Sequence, residues 1–107
     1  MKITRLYSGG DGESHFEEIE VPTEALQPGQ GIIIRESPPG DVQDWHPAPR
    51  RQYIVTLAGE VEVEIAGGIR RRFRAGDIML ADDTTGHGHI TRVVGSKPRI
   101  CAMIPIF

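Results

Sequence analysis

From Glu60 to Arg74 the chain alternates with a period of two: Glu-Val-Glu-Val-Glu-Ile is answered, across Ala66, Gly67 and Gly68, by Ile-Arg-Arg-Arg-Phe-Arg. A period of two is the signature of a strand, whose successive side chains point to opposite faces. The stretch therefore predicts a β-hairpin, and three loop residues fix its register. Glu64 faces Arg70, Glu62 faces Arg72 and Glu60 faces Arg74, while Ile65 meets Ile69 and Val61 meets Phe73. One face is a ladder of opposite charges. The arginine run thus reads as a solvated sheet face neutralised by its glutamates, not as an anion or RNA patch. Arg71 breaks the pattern. It falls opposite Val63 on the apolar face, which calls for a bulge that turns it outward or for a polar partner inside.

The same grammar runs through the whole chain. Thirteen glycines and eight prolines cut it into short segments rich in Val, Ile, Thr, Phe and Tyr, the pattern of strands and turns. Strands are expected near Ile3 to Ser8, His15 to Val21, Ile32 to Glu36, Arg51 to Leu57, Glu60 to Ile65, Ile69 to Arg74, Ile78 to Ala81, His89 to Val94 and Ile100 to Ile106. No helix is expected, because Pro22, Pro28 and Gly29 cut short the one candidate around Thr23 to Leu26. Nine short strands in 107 residues, with no linker or repeat, predict one all-β domain over residues 1–107, a sandwich or barrel.

Composition narrows the partners. A net charge of −3 offers no broad attraction to phosphate backbones or anionic lipid, so neither nucleic acid nor membrane is expected. The start, MKITRLYSGG, lacks the apolar run of a signal peptide, which points to a cytoplasmic protein. The one cysteine, Cys101, sits in an apolar segment and reads as a buried free thiol. That segment, Arg-Ile-Cys-Ala-Met-Ile-Pro-Ile-Phe, is apolar on both faces, so one face is available to cover a second copy, and a homodimer is expected.

The stretch GDVQDWHPAPRRQYIVTLAG, from Gly40 to Gly59, carries the chemistry. Gly40, His46, Gln52 and Gly59 stand at the spacing of G-x5-H-x-H-x3-E-x6-G, and here the chain resembles the first motif of the cupins. Residues 46, 48 and 52 share the parity of one strand face and could converge inside a barrel. Ala75-Gly76-Asp77 resembles the Pro-Gly-Asp turn that opens the second cupin motif, G-x5-P-x-G-x2-H-x3-N. Strict counting places its histidine on His87. The segment DDTTGHGHIT resembles small single-domain bacterial cupins in which the histidine at the position of His89 enters the strand, and His89 is preferred; Thr91 and Val93 share its face, and Arg92 points away. His87, between two glycines, reads as an exposed loop residue. The resemblance covers about Gly31 to Phe107, with the motifs at about 40–59 and 76–91, and implies a cupin-type double-stranded β-helix (jelly-roll) barrel with a central pocket.

The departures from the pattern bear on activity. The second histidine is Ala48 and the glutamate is Gln52. The metal set that the resemblance implies therefore shrinks to His46, Gln52 and His89, without the carboxylate that suits non-haem iron. Asp82 or Asp83 could restore one, and Asp82 has the parity of Ile78 and Leu80. Arg50 shares parity with His46 and Gln52 and could meet an anionic substrate at the pocket mouth. Trp45 and Tyr53 read as packing residues. Two functions stand beside each other: a divalent-metal enzyme (Fe, Mn, Ni or Zn; a dioxygenase, isomerase or relative) acting on a small organic acid or phenol, and a binding or sensor module that holds a small ligand without metal.

Overall fold

A computed structural model describes residues 1–107 and places ten strands in them. In chain order they are β1 (Lys2–Ser8), β2 (Ser14–Glu20), β3 (Ile33–Ser37), β4 (Val42–His46), β5 (Gln52–Ala58), β6 (Glu60–Ile65), β7 (Ile69–Arg74), β8 (Ile78–Asp82), β9 (His89–Val94) and β10 (Arg99–Pro105). They form a six-stranded sheet in the order β2-β1-β8-β5-β10-β3 and a four-stranded sheet in the order β4-β9-β6-β7. Every pairing is antiparallel except β1 beside β8. No helix is long and apolar enough to cross a membrane.

All nine expected strands are present, and β4 is the tenth. Its sequence, Val-Gln-Asp-Trp-His, has one β-branched residue and no clean alternation, so nothing local announces a strand. One geometric expectation fails with it. His46 and Gln52 do not share a strand: Pro47 and Pro49 interrupt the ladder, since proline fixes φ and donates no hydrogen bond. His46 ends β4 in one sheet, and Gln52 opens β5 in the other.

The core fills the space between the sheets. Leu6, Met79 and Ala81 of the larger sheet cluster with Val61, Val63, Ile65 and Phe73 of the smaller one, and Ala48 joins them from the turn after β4. Each large apolar side chain buried there contributes about 1.5–3 kcal/mol. The β6–β7 register is the expected one, Glu60 through Ile65 against Arg74 through Ile69 without a bulge. Its charged face is less solvated than expected. Glu62 is only 7% exposed, because Arg70, Arg72 and Arg92 lie across it at 3.3–3.5 Å. Arg71 finds a third solution. On the edge strand β7 it reaches past the rim of the apolar face to the Thr4 hydroxyl (3.3 Å), with its guanidinium 5.1 Å from the Phe16 ring centroid.

The C-terminal strand β10 lies inside its sheet, between β5 and β3. At its neighbours in that sheet, Ile32 and Ile34 at and beside β3 and Leu57 of β5 are more than half exposed. Residues 21–32 hold no regular structure and are tied on by Gln30 N–H to the Pro105 carbonyl (2.9 Å) and by the Tyr53 hydroxyl to Gln27 Oε1 (2.6 Å).

Between β5 and β6 the chain changes sheets at one residue, Gly59. Its φ is +74°, and an added Cβ would lie 2.5 Å from the carbonyl oxygen of Pro98. Gly59→Ala therefore combines left-handed strain with a backbone clash, and a loss of about 2 kcal/mol or more in urea-unfolding free energy is expected. An unchanged midpoint would show that the crossover is not held by this close approach.

Candidate functional site

Both motif histidines reach one place, and their partners set how they face it. His46 and His89 are paired in register across β4 and β9, with ring centroids 4.5 Å apart and planes inclined by 54°. Gly88 permits this closeness. It has φ +81°, and a Cβ there would collide with the His46 carbonyl. Nδ1 of His46 lies 2.6 Å from the carbonyl oxygen of Asp44. A carbonyl only accepts, so this nitrogen carries the proton. Nδ1 of His89 lies 2.6 Å from Oδ2 of Asp83, which also accepts from the Ser14 hydroxyl at 2.7 Å. In both rings Nε2 is left without a partner in the protein.

Asp83 is fully buried. Besides anchoring the His89 ring, its backbone carbonyl accepts the N–H of Ala48 (2.9 Å), so one residue ties the turn after His46 to the start of β9. The expectation that Asp82 or Asp83 could add a ligand to the pocket fails on both. Asp82 points to the opposite face and pairs with Arg5 (2.8 Å) and Arg51 (3.3 Å). Met79 and Ala81 take the inward parity of β8. Asp83 stands behind His89, where it orients the ring instead of presenting an oxygen beside it.

Gln52 is 2% exposed and lines the same cavity. Its Oε1 accepts from Nη1 of Arg50 (3.1 Å), and its Nε2 faces the Met103 sulfur at 3.7 Å. Arg50 itself is exposed and acts on the site through Gln52. His87 is an exposed turn residue as expected, stacked on Trp45 with centroids 4.0 Å apart and bonded through Nδ1 to Glu13 (2.8 Å). Cys101 is a buried free thiol on the cavity wall.

The cavity measures about 60 Å³. The sequence reading missed both arginines of its lining, Arg35 of β3 and Arg99 of β10. Arg99 shares the parity of Cys101 and Met103, a signal present in the sequence but masked by the apolar character of both faces of that segment. The lining contains no aspartate or glutamate.

Solved structures of similar shape decide the fold. Over 68% of this chain and 63% of the other, it superposes with a TM-score of 0.55 and 26% identity on an uncharacterised conserved protein with a double-stranded β-helix domain from Klebsiella pneumoniae. It matches a Cupin 2 conserved barrel domain protein from Salinispora arenicola over 81% and 71% of the two chains (TM-score 0.57, 17% identity). This is the cupin fold. The cupin domain of Cnp3 from Schizosaccharomyces pombe matches over 99% and 84% (TM-score 0.57, 14% identity). No protein-family model and no curated protein matches the chain. The chain thus spans less than two thirds of the Klebsiella protein, and what these neighbours share with it is the barrel.

A metal-binding cupin needs a ligand set, and the residues here do not fit a divalent ion. Position 48 is a buried alanine, and no three His, Cys, Asp or Glu side chains are placed to hold one ion together. An ion between His46 and His89 would meet two neutral nitrogens and an amide oxygen already engaged by Arg50. It would find no carboxylate on the cavity wall and would share its cavity with two guanidinium groups.

The anchoring of the two rings can be read by NMR. At a pH where the imidazoles are neutral, long-range proton–nitrogen spectra should show both His46 and His89 as the Nδ1–H tautomer. In Asp83→Ala, His89 should move toward Nε2–H while His46 keeps its tautomer, with about 1–3 kcal/mol of stability lost from the unsatisfied buried groups. An unmoved His89 would show that Asp83 does not orient it.

Proposed function

We propose that this cupin is a binding module that holds a small organic ligand in its barrel without a metal ion. The observation that carries the reading is the chemistry of the wall. His46, His89 and Gln52 offer positioned hydrogen-bonding groups beside Ile54, Val63 and Met79, and no carboxylate competes for a cation. A few convergent polar groups over an apolar floor suit recognition of an organic molecule. The two unpartnered Nε2 atoms favour a second reading, a divalent-metal enzyme with His46, His89 and Gln52 as ligands. Elemental analysis of protein purified without a metal-affinity tag separates the two. The binding module should carry iron, manganese, nickel and zinc at well below one ion per chain, before and after reconstitution. Near-stoichiometric metal that disappears in both His46→Ala and His89→Ala would overturn the proposal in favour of the enzyme.

We also propose that the chain pairs as a homodimer through the outer face of its larger sheet, where Ile34 and Leu57 are more than half exposed. Light scattering at micromolar concentration should give twice the chain mass, and Ile34→Glu should return it to one. A wild-type monomer would overturn this.

A further inference from the structure

The arginines divide into two groups. Arg5, Arg50, Arg51, Arg70, Arg71, Arg72, Arg74 and Arg92 each make a hydrogen bond or an ion pair within the chain. Arg35 and Arg99 make none, and both line the central cavity. Arg99 is 9% exposed, and its Nε is buried without a hydrogen-bond partner. A buried guanidinium is ordinarily paired, because taking its charge out of water is costly. Here the neighbourhood adds to the cost. Burial holds the Arg99 guanidinium below its usual range; the Cys101 thiol opposes that effect, and the positive charge of Arg35 reinforces it. The register sets the two arginines side by side: Arg35 pairs with Cys101, two residues along β10 from Arg99.

Resting on the metal-free reading above, we propose that the ligand is a short-chain carboxylate whose charged end is held by the Arg99 guanidinium, with Arg35 at the exposed mouth. A planar guanidinium matches a carboxylate with two parallel hydrogen bonds, and the anion supplies the counter-charge that the protein withholds. The small cavity suits a short ligand. Ile54, Val63 and Met79 receive its carbon end, and the imidazole wall is available to a further oxygen.

The test compares acetate with its neutral isostere acetamide, at matched ionic strength in chloride, by NMR titration and thermal unfolding. Acetate should bind wild-type protein at least tenfold more tightly than acetamide, shift the amides of Thr91 and Cys101, and raise the melting temperature. Arg99→Met should lose acetate affinity by tenfold or more while melting higher than wild type without ligand, because it removes an unpartnered buried charge. Arg35→Gln, at an exposed position, should weaken acetate several-fold without loss of stability, and it carries the test should Arg99→Met fail to fold. Equal binding of acetate and acetamide, or undiminished acetate binding in the arginine variants, would overturn the anion assignment and leave the metal-free pocket standing. Failure of both probes to perturb the cavity would likewise overturn the carboxylate assignment, while the metal-free reading stands or falls on the elemental analysis.

Discussion

Much of the site hangs on one buried carboxylate. Asp83 sits just beyond β8, in the larger sheet, yet its side chain holds His89 of the smaller sheet and its carbonyl holds Ala48 in the turn that follows His46. Ser14, from β2, closes the same cluster. Two donors converge on Oδ2 of this fully buried aspartate and offset part of the cost of burying it, while its Oδ1 has no hydrogen-bond partner in the protein. In return it ties together, at the site, two sheets whose contact in the core is made by non-directional apolar packing. The core among Leu6, Val61, Val63 and Phe73 drives the sheets together, and the Asp83 cluster specifies how they meet where the histidines stand.

That division between driving force and direction explains what the sequence disclosed. Period-two alternation is local, so the β6–β7 hairpin was legible to the residue, down to Val63 facing Arg71. The punctuation by glycine and proline gave the other strands for the same reason. β4 was not legible, because a strand as polar as Val-Gln-Asp-Trp-His is stabilised by its place beside β9 and not by its own propensities. Motif spacing brought His46, Gln52 and His89 to one cavity, but the assumed route was wrong. They converge because the chain crosses between sheets at Pro47–Arg51, not because they share a strand face.

The roles of Asp82 and Asp83 show where parity stops working. Alternation holds while the strand lasts, and β8 ends at Asp82. Asp82 obeys it and points away from the cavity, toward Arg5 and Arg51. Asp83 lies in the turn, where backbone dihedrals and not strand parity aim the side chain. Arg99 was hidden for a different reason. In a strand apolar on both faces, no contrast marks which face is inward, and only the neighbouring strands supply that information.

Charge is distributed over the barrel in a way that sequence counts cannot express. On the outer face, glutamates and arginines of β6, β7 and β9 are interleaved and neutralise one another, with Glu62 buried beneath its arginines. Inside, the same residue type is left alone. An arginine that is paired within the protein has its charge satisfied before any ligand arrives, and exchanging that partner for an anion gains little. One that is buried without a partner carries its desolvation cost in the free state, and an arriving carboxylate removes much of it, while a neutral molecule of the same shape removes none. Stability surrendered at Arg99 thereby becomes discrimination between ligands, and the apolar packing around Leu6, Val61 and Val63 is what offsets an unpaired arginine in a barrel this small.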